Sequence, residues 1–245
     1  DRMVSGLEQV GMTNGLAVYG NNNGIVIEVE VFAAYKTGGS KKINVAGANN
    51  TASLSEKTVF ENGELKITGI IEQEEIQGRN QRFRRTSAAR SSIENVLTVL
   101  RKYMGIDCRR YDLHVNFPGG IPLDGPSAGL AIAAAIFSAI SGLPVRGDIA
   151  MTGEVSICGK IKPVGGVPAK VEAARLAGIK KVIVPEQNFS SNINVNINSD
   201  IDCNSFEVLP VNDFLQAMTI IFGSAAKQVE MLLPSGTPSL PGLSL

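Results

Sequence analysis

The chain has no tryptophan, one histidine (His114) and three cysteines, Cys108, Cys158 and Cys203. A single histidine excludes a metal site built from several imidazoles. It also leaves any histidine-based nucleophilic system dependent on that one residue. Three widely spaced cysteines exclude a CxxC pair and argue against a disulfide framework; they fit a reducing compartment, so a cytoplasmic location is expected. No excess of charge exists either, since 23 basic residues balance 23 acidic ones. The balance gives no electrostatic reason to expect nucleic acid or a membrane as a partner. The longest apolar run, Ala128 to Ile140, is interrupted by Gly129 and Ser138 and is too short to cross a bilayer. The opening Asp-Arg-Met-Val carries no basic-then-apolar leader pattern, and a first residue other than Met fits a fragment or a processed chain.

What is present is a mixture of strand and helix patterns. Asn14–Gly20 and Ile25–Phe32 alternate on either side of Asn21-Asn22-Asn23-Gly24, which predicts a hairpin. Lys42–Val45 and Leu65–Ile71 read as further strands. Gln73–Arg85 is polar and reads as an exposed loop. Its arginines (Arg79, Arg82, Arg84, Arg85, with Arg90 beyond) read as a solvated face or a subunit contact, and nucleic acid is not expected as a partner of this domain. Thr86–Met104 has helical spacing through Ile93, Val96, Leu97 and Leu100. Asp112–Asn116 alternates as a strand, and Phe117–Pro126 is a Pro/Gly loop. Ser127–Ser141 predicts a helix buried on most sides. Ile149–Glu154 and Ile157–Ile161 predict a second hairpin. Val167–Ala177 predicts a helix ended by Gly178. Lys181–Pro185 and Phe206–Pro210 predict strands, with a helix over Val211–Phe222. Leu233–Leu245, rich in Pro and Gly, reads as a tail. Interleaved strands and helices make the fold class α/β, with mixed sheets and packed helices.

Two residues draw attention chemically. Ser127 follows the loop Pro118-Gly-Gly-Ile-Pro-Leu-Asp124-Gly125-Pro126 and stands where a buried helix begins. Its hydroxyl either caps that helix or acts as a nucleophile beside the free N–H groups of the helix start. A nucleophilic serine needs a base. His114 lies on an ordinary alternating strand, so the base is sought elsewhere. On a wheel at about 100° per residue, Lys170 falls in one arc with Val167, Ala173, Ala174 and Ala177, opposite Glu172 and Arg175. Lysine there is either desolvated, with a lowered pKa that suits it to accept a proton, or snorkels past the alanines to water. Gly165-Gly166 before this helix permits close backbone approach. Neither GxGxxG nor GxxxxGK[ST] occurs at a position that would hold a nucleotide. Thr152, at a strand end, and Asp124 are each unremarkable alone, yet either can hydrogen-bond a lysine amine if the fold brings them together.

Taken in order, Asp124-Gly125-Pro126-Ser127-Ala-Gly129, Met151-Thr152-Gly-Glu154, Lys162-Pro-Val-Gly-Gly166, Lys170 and Ala177-Gly-Ile-Lys-Lys-Val-Ile-Val-Pro185 resemble the Lon protease proteolytic domain. The Val18-Tyr19-Gly20 hairpin and the Val115-Asn-Phe-Pro-Gly-Gly120 loop look most like the bacterial LonB type. The resemblance runs from about Asn14 to Phe222. It implies Ser127 as nucleophile, Lys170 as general base and Thr152 as a partner of the lysine amine, with Asp124, Gly125 and Pro126 supporting. It implies an oxyanion hole from backbone N–H groups around Ser127, an acyl-enzyme, and hydrolysis of peptide bonds in unfolded or damaged proteins by a homohexamer. Family members carry an ATPase module ahead of this domain, so ATP and Mg are expected only there and no cofactor or metal is expected in this domain. The expected organisation is a connector over 1–13, the proteolytic domain over 14–225 and a flexible tail over 226–245. The alternative implied by the same fold is an assembly domain without proteolytic activity.

Overall fold

The computed structural model describes residues 6–20, 23–36, 40–45, 55–60, 62–69, 75–78, 81–84, 88–119, 126–189 and 206–227. Asp124, Gly125, Cys203 and the tail over 233–245 lie outside the described residues.

The expected hairpin is present. Strand β1 (Met12–Tyr19) pairs antiparallel with β2 (Asn23–Tyr35), with Leu16 opposite Val26 and Val18 opposite Gly24. Two short ribbons follow in chain order around one longer-range strand: β3 (Ser40–Val45) with β4 (Ser55–Phe60), then β5 (Leu65–Gly69), then β6 (Glu75–Gly78) with β7 (Gln81–Arg84). The β6–β7 ribbon corrects the loop reading of 73–85. A two-stranded ribbon is held by backbone bonds and needs no buried side-chain face, so polar composition does not prevent it. Helix α1 (Ala88–Met104) leads to β8 (Tyr111–Phe117), and helix α2 covers Gly129–Ser141.

The second expected hairpin is only partly present. Ile149–Met151 forms β9, which joins β1 and β12 (Lys181–Pro185) in parallel. Only Glu154–Val155 (β10) turns to pair with Ile161–Lys162 (β11). The break falls at Thr152-Gly153, where the backbone leaves the sheet. Thr152 N–H donates to Ile183 O, whereas Gly153 N–H donates to Ser127 O and Gly153 O accepts from Leu130 N–H. Helix α3 covers Val167–Leu176, with Gly178 just beyond its end at φ 84° as expected. Strand β13 (Glu207–Val211) precedes helix α4 (Phe214–Phe222), which begins at Phe214 rather than Val211. Asp213 sets that start, because its carboxylate accepts the N–H of Gln216.

Seven strands form one mixed sheet in the order β13-β12-β9-β1-β2-β8-β5. Alternation along β12 sends Ile183 to one face and Val182 and Val184 to the other. The first face carries the larger core, where Leu130, Ile132, Ile136 and Phe137 of α2 meet Ile93, Val96 and Leu100 of α1 and Phe214 and Met218 of α4. The second face holds α3, whose Val167, Val171 and Ala174 lie on Leu16, Ala150, Val182 and Val184. Each fully buried Leu, Ile or Val contributes about 1.5–3 kcal/mol, so α2 is the best-anchored element of the domain. Polar ties add register: Thr13 Oγ1 donates to Ala131 O, and Asn14 Nδ2 donates to Gly147 O and Ile149 O. Ahead of β1, Gln9 bridges to Val145 and Leu7 O accepts Gly147 N–H. Among the described residues no helix is long and apolar enough to cross a membrane.

Candidate active site

Ser127 occupies a single 3-10 turn, Pro126–Ala128, immediately before α2. The helix is preceded by Ala128 as its N-cap residue, and no side-chain capping bond is made there. Ser127 stands one residue ahead of that cap position, and among the described residues no hydrogen bond joins its hydroxyl to the helix start, which sets the capping reading aside. The residue is half-buried, at the edge of a core in which Ala128 and Gly129 are already enclosed. Gly129 is required by space. A Cβ there would lie 2.9 Å from Ser92 Oγ on α1 and 3.1 Å from Val155 N.

Lys170 projects from the first turn of α3 and is 1% exposed, so the snorkelling alternative fails. Its helical neighbours explain the position: Val167, Val171 and Ala174 are buried with it, while Glu172 and Arg175 pair with each other on the wet side at 2.7 Å. A lysine amine taken out of water, with no carboxylate paired to it among the described residues, favours its neutral form. Burial alone pulls the Lys170 pKa down to about 8.

The amine donates to Thr152 Oγ1 across 3.1 Å. Thr152 is fully buried, and its hydroxyl can in turn donate to Ser127 O at 3.2 Å or Leu16 O at 3.5 Å. A threonine hydroxyl has one proton to give, so accepting from Lys170 leaves that proton for one of these carbonyls. The link between Lys170 and the serine turn thus runs through Thr152, and among the described residues no direct hydrogen bond joins Ser127 Oγ to Lys170 Nζ. Gly153 completes the arrangement by tying the same strand end to Ser127 O at 2.9 Å.

Of the six residues singled out by sequence, four are placed. Ser127, Thr152 and Lys170 converge, and Pro126 opens the serine turn. Asp124 and Gly125 lie outside the described residues. Sequence reading missed Leu16, which takes part through its backbone carbonyl and so leaves no side-chain signal, and Ser92, an ordinary buried helix serine until Gly129 is seen against it. His114 behaves as the strand position suggested: its Nε2 lies 2.8 Å from Thr68 Oγ1. Gly165 has open space around it, so close approach is not its reason, whereas Gly166 takes φ 67° ahead of α3. Among the described residues no cluster of three His, Cys, Asp or Glu side chains could hold a metal ion.

Residues 3–220 match the model of the Lon protease (S16) C-terminal proteolytic domain. Lon protease 2 of Bacillus subtilis is 48% identical over 180 residues, covering 74% of this chain and 28% of that protein. An archaeal Lon protease of Thermococcus kodakarensis is 32% identical over 225 residues, covering 91% of this chain and 29% of that protein. The chain thus spans less than a third of the length of these relatives. With a match over nearly its whole length, the chain belongs to the Lon protease (S16) C-terminal proteolytic domain family, a family of serine peptidase domains.

Proposed function

We propose that this domain hydrolyses peptide bonds with Ser127 as nucleophile and Lys170 as general base. The observation that carries the reading is the buried amine of Lys170 held on Thr152, whose hydroxyl reaches the carbonyl of Ser127. With one N–H fixed on Thr152, the neutral amine keeps its lone pair for the serine proton. Ser127 Oγ, free of any capping duty, turns to that lone pair and attacks the substrate carbonyl. Lys170 then carries the proton to the leaving amine, and water releases the acyl group by the reverse transfers. The Leu130 N–H is already given to Gly153 O. Oxyanion donors from this helix start are therefore the N–H groups nearer Ser127, aided by the dipole of α2. Pro126 opens the turn that carries the serine.

The substrates on this reading are unfolded or damaged proteins, cut by a homohexamer in the cytoplasm. ATP and Mg would act in an ATPase module of a longer protein, with no cofactor in this domain. The relatives named Lon protease support proteolysis; the class of substrate and the assembly rest on the resemblance of the motifs alone.

The test is covalent capture. Incubation with a fluorophosphonate and peptide mapping should place a single adduct on Ser127, faster at pH 9 than at pH 7 and absent in Lys170→Ala. Labelling of a different serine, or equal labelling of Lys170→Ala, would remove Ser127 and Lys170 from these roles.

A further inference from the structure

Gly24 stands in regular strand at the start of β2, opposite Val18. Its conformation is not one that demands glycine, so the reason for glycine there is space. A Cβ at position 24 would lie 1.9 Å from Ala169 O, 2.4 Å from Ala169 C and 2.9 Å from Lys170 N. All three are backbone atoms of the first turn of α3, where Lys170 N–H is bonded to Gly166 O. None of them can rotate aside, and the contact is relieved only by moving the helix or the strand.

We infer that Gly24 is a positioning residue for Lys170: by lacking a side chain it lets β2 bear directly on the Ala169–Lys170 peptide and so sets how far the amine reaches toward Thr152. The inference rests on the proposed role of Lys170 as base. Two constraints then fix α3. The apolar contacts of Val167, Val171 and Ala174 with Leu16, Val182 and Val184 draw it onto the sheet. The Gly24 contact fixes the height of its first turn. Val26, two residues along β2, packs beside the same cluster. Gly165, although nearer to Lys170 in sequence, has nothing within 4 Å of an added Cβ. Proximity in sequence and bearing on the helix are therefore separable.

The experiment compares the 245-residue chain with Gly24→Ala, Val26→Ala, Gly165→Ala and Lys170→Ala, each checked for folding by circular dichroism. The titration of Lys170 is followed through the 13Cε signal of labelled lysine, assigned by its loss in Lys170→Ala. Cleavage of a fluorogenic peptide gives kcat and KM. In Gly24→Ala the first turn of α3 moves outward and water reaches the amine, so the Lys170 midpoint rises by about one unit or more. A misplacement of about 1 Å lowers kcat about 100-fold with KM nearly unchanged. Val26→Ala, which thins the apolar cluster that draws α3 onto the sheet beside that contact, shifts both in the same direction by less, and Gly165→Ala matches the parent. A folded Gly24→Ala with an unshifted Lys170 midpoint overturns the inference. Should Gly24→Ala not fold, an unshifted midpoint in Val26→Ala does so. Cleavage surviving in Lys170→Ala would instead sink the general-base reading, while a shifted midpoint in Gly24→Ala would still establish the contact.

Discussion

Lys170 and Thr152 meet 3.1 Å apart in the interior of the domain, amine to hydroxyl, with the lysine 1% exposed and the threonine fully buried. The pair joins two elements that the sequence keeps apart, the first turn of α3 and the end of β9. Thr152 is fixed there by its own backbone, which donates to Ile183 O, and by a hydroxyl that reaches Ser127 O. One threonine therefore couples the lysine, the serine turn and the central sheet.

The buried amine has a cost for stability that follows from its titration. Lys170 falls from 10.5 to about 8 on folding, so between those values the unfolded chain binds more protons than the folded one. Stability from this group therefore rises with pH through that window, and the full penalty applies below pH 8. The depression corresponds to roughly 3 kcal/mol. Lys170→Met should be more stable than the parent at pH 7, by urea unfolding, with an advantage of that order that shrinks toward pH 10.5. An advantage independent of pH would mean that lysine protonation is not its source.

Thr152 should act on rate more than on binding. Thr152→Val keeps the shape but removes the acceptor of the Lys170 bond and the donor to Ser127 O. Loss of orientation of this kind costs about 10- to 100-fold in kcat, with KM little changed. The parent's activity should climb with pH through about 8, as Lys170 loses its proton. Without the hydroxyl the ammonium form loses a hydrogen bond, so the rising limb in Thr152→Val moves to lower pH. That direction is opposite to the one expected for Gly24→Ala. A pH profile of kcat/KM distinguishes them, and a limb unmoved in Thr152→Val would show that the hydroxyl does not tune the base.

Gly129 should resist substitution for steric reasons. Its Cβ would press on Ser92 Oγ and Val155 N at 2.9 and 3.1 Å, an overpacking that costs about 1–3 kcal/mol. Ser92→Ala relieves the first contact but not the second. Thermal unfolding of the double variant Ser92→Ala/Gly129→Ala should recover part of the loss, as expected for neighbours that do not add. Strict additivity of the two single changes would contradict the contact.

Much of the site was legible because its signals are local. The wheel placed Lys170 in the apolar arc of α3, and the structure buries it with Val167 and Ala174. The β1–β2 hairpin and the buried helix α2 followed from alternation and from a run of apolar residues. Elements whose partners are remote were not legible. Ile149–Glu154 alternates as half of a hairpin, yet β9 takes β1 and β12 as neighbours and only Glu154–Val155 pairs with β11. Thr152 looked like any strand threonine, because its partners Leu16, Ser127 and Ile183 are separated from it by long stretches of chain. Gly24 read as a turn glycine, and nothing in its neighbourhood in sequence announces Ala169. The ribbon of β6 and β7 was not legible, since polar residues leave no hydrophobic alternation to follow.

The most direct measurement is cleavage of an unfolded protein and a fluorogenic peptide by the parent chain, Ser127→Ala and Lys170→Ala, at pH 8.5 and matched folded fraction. The expected result is cleavage by the parent and loss of at least about 1,000-fold in each variant, with both still folded. Cleavage by either variant at a rate near the parent's would contradict the pairing of Ser127 and Lys170 as nucleophile and base.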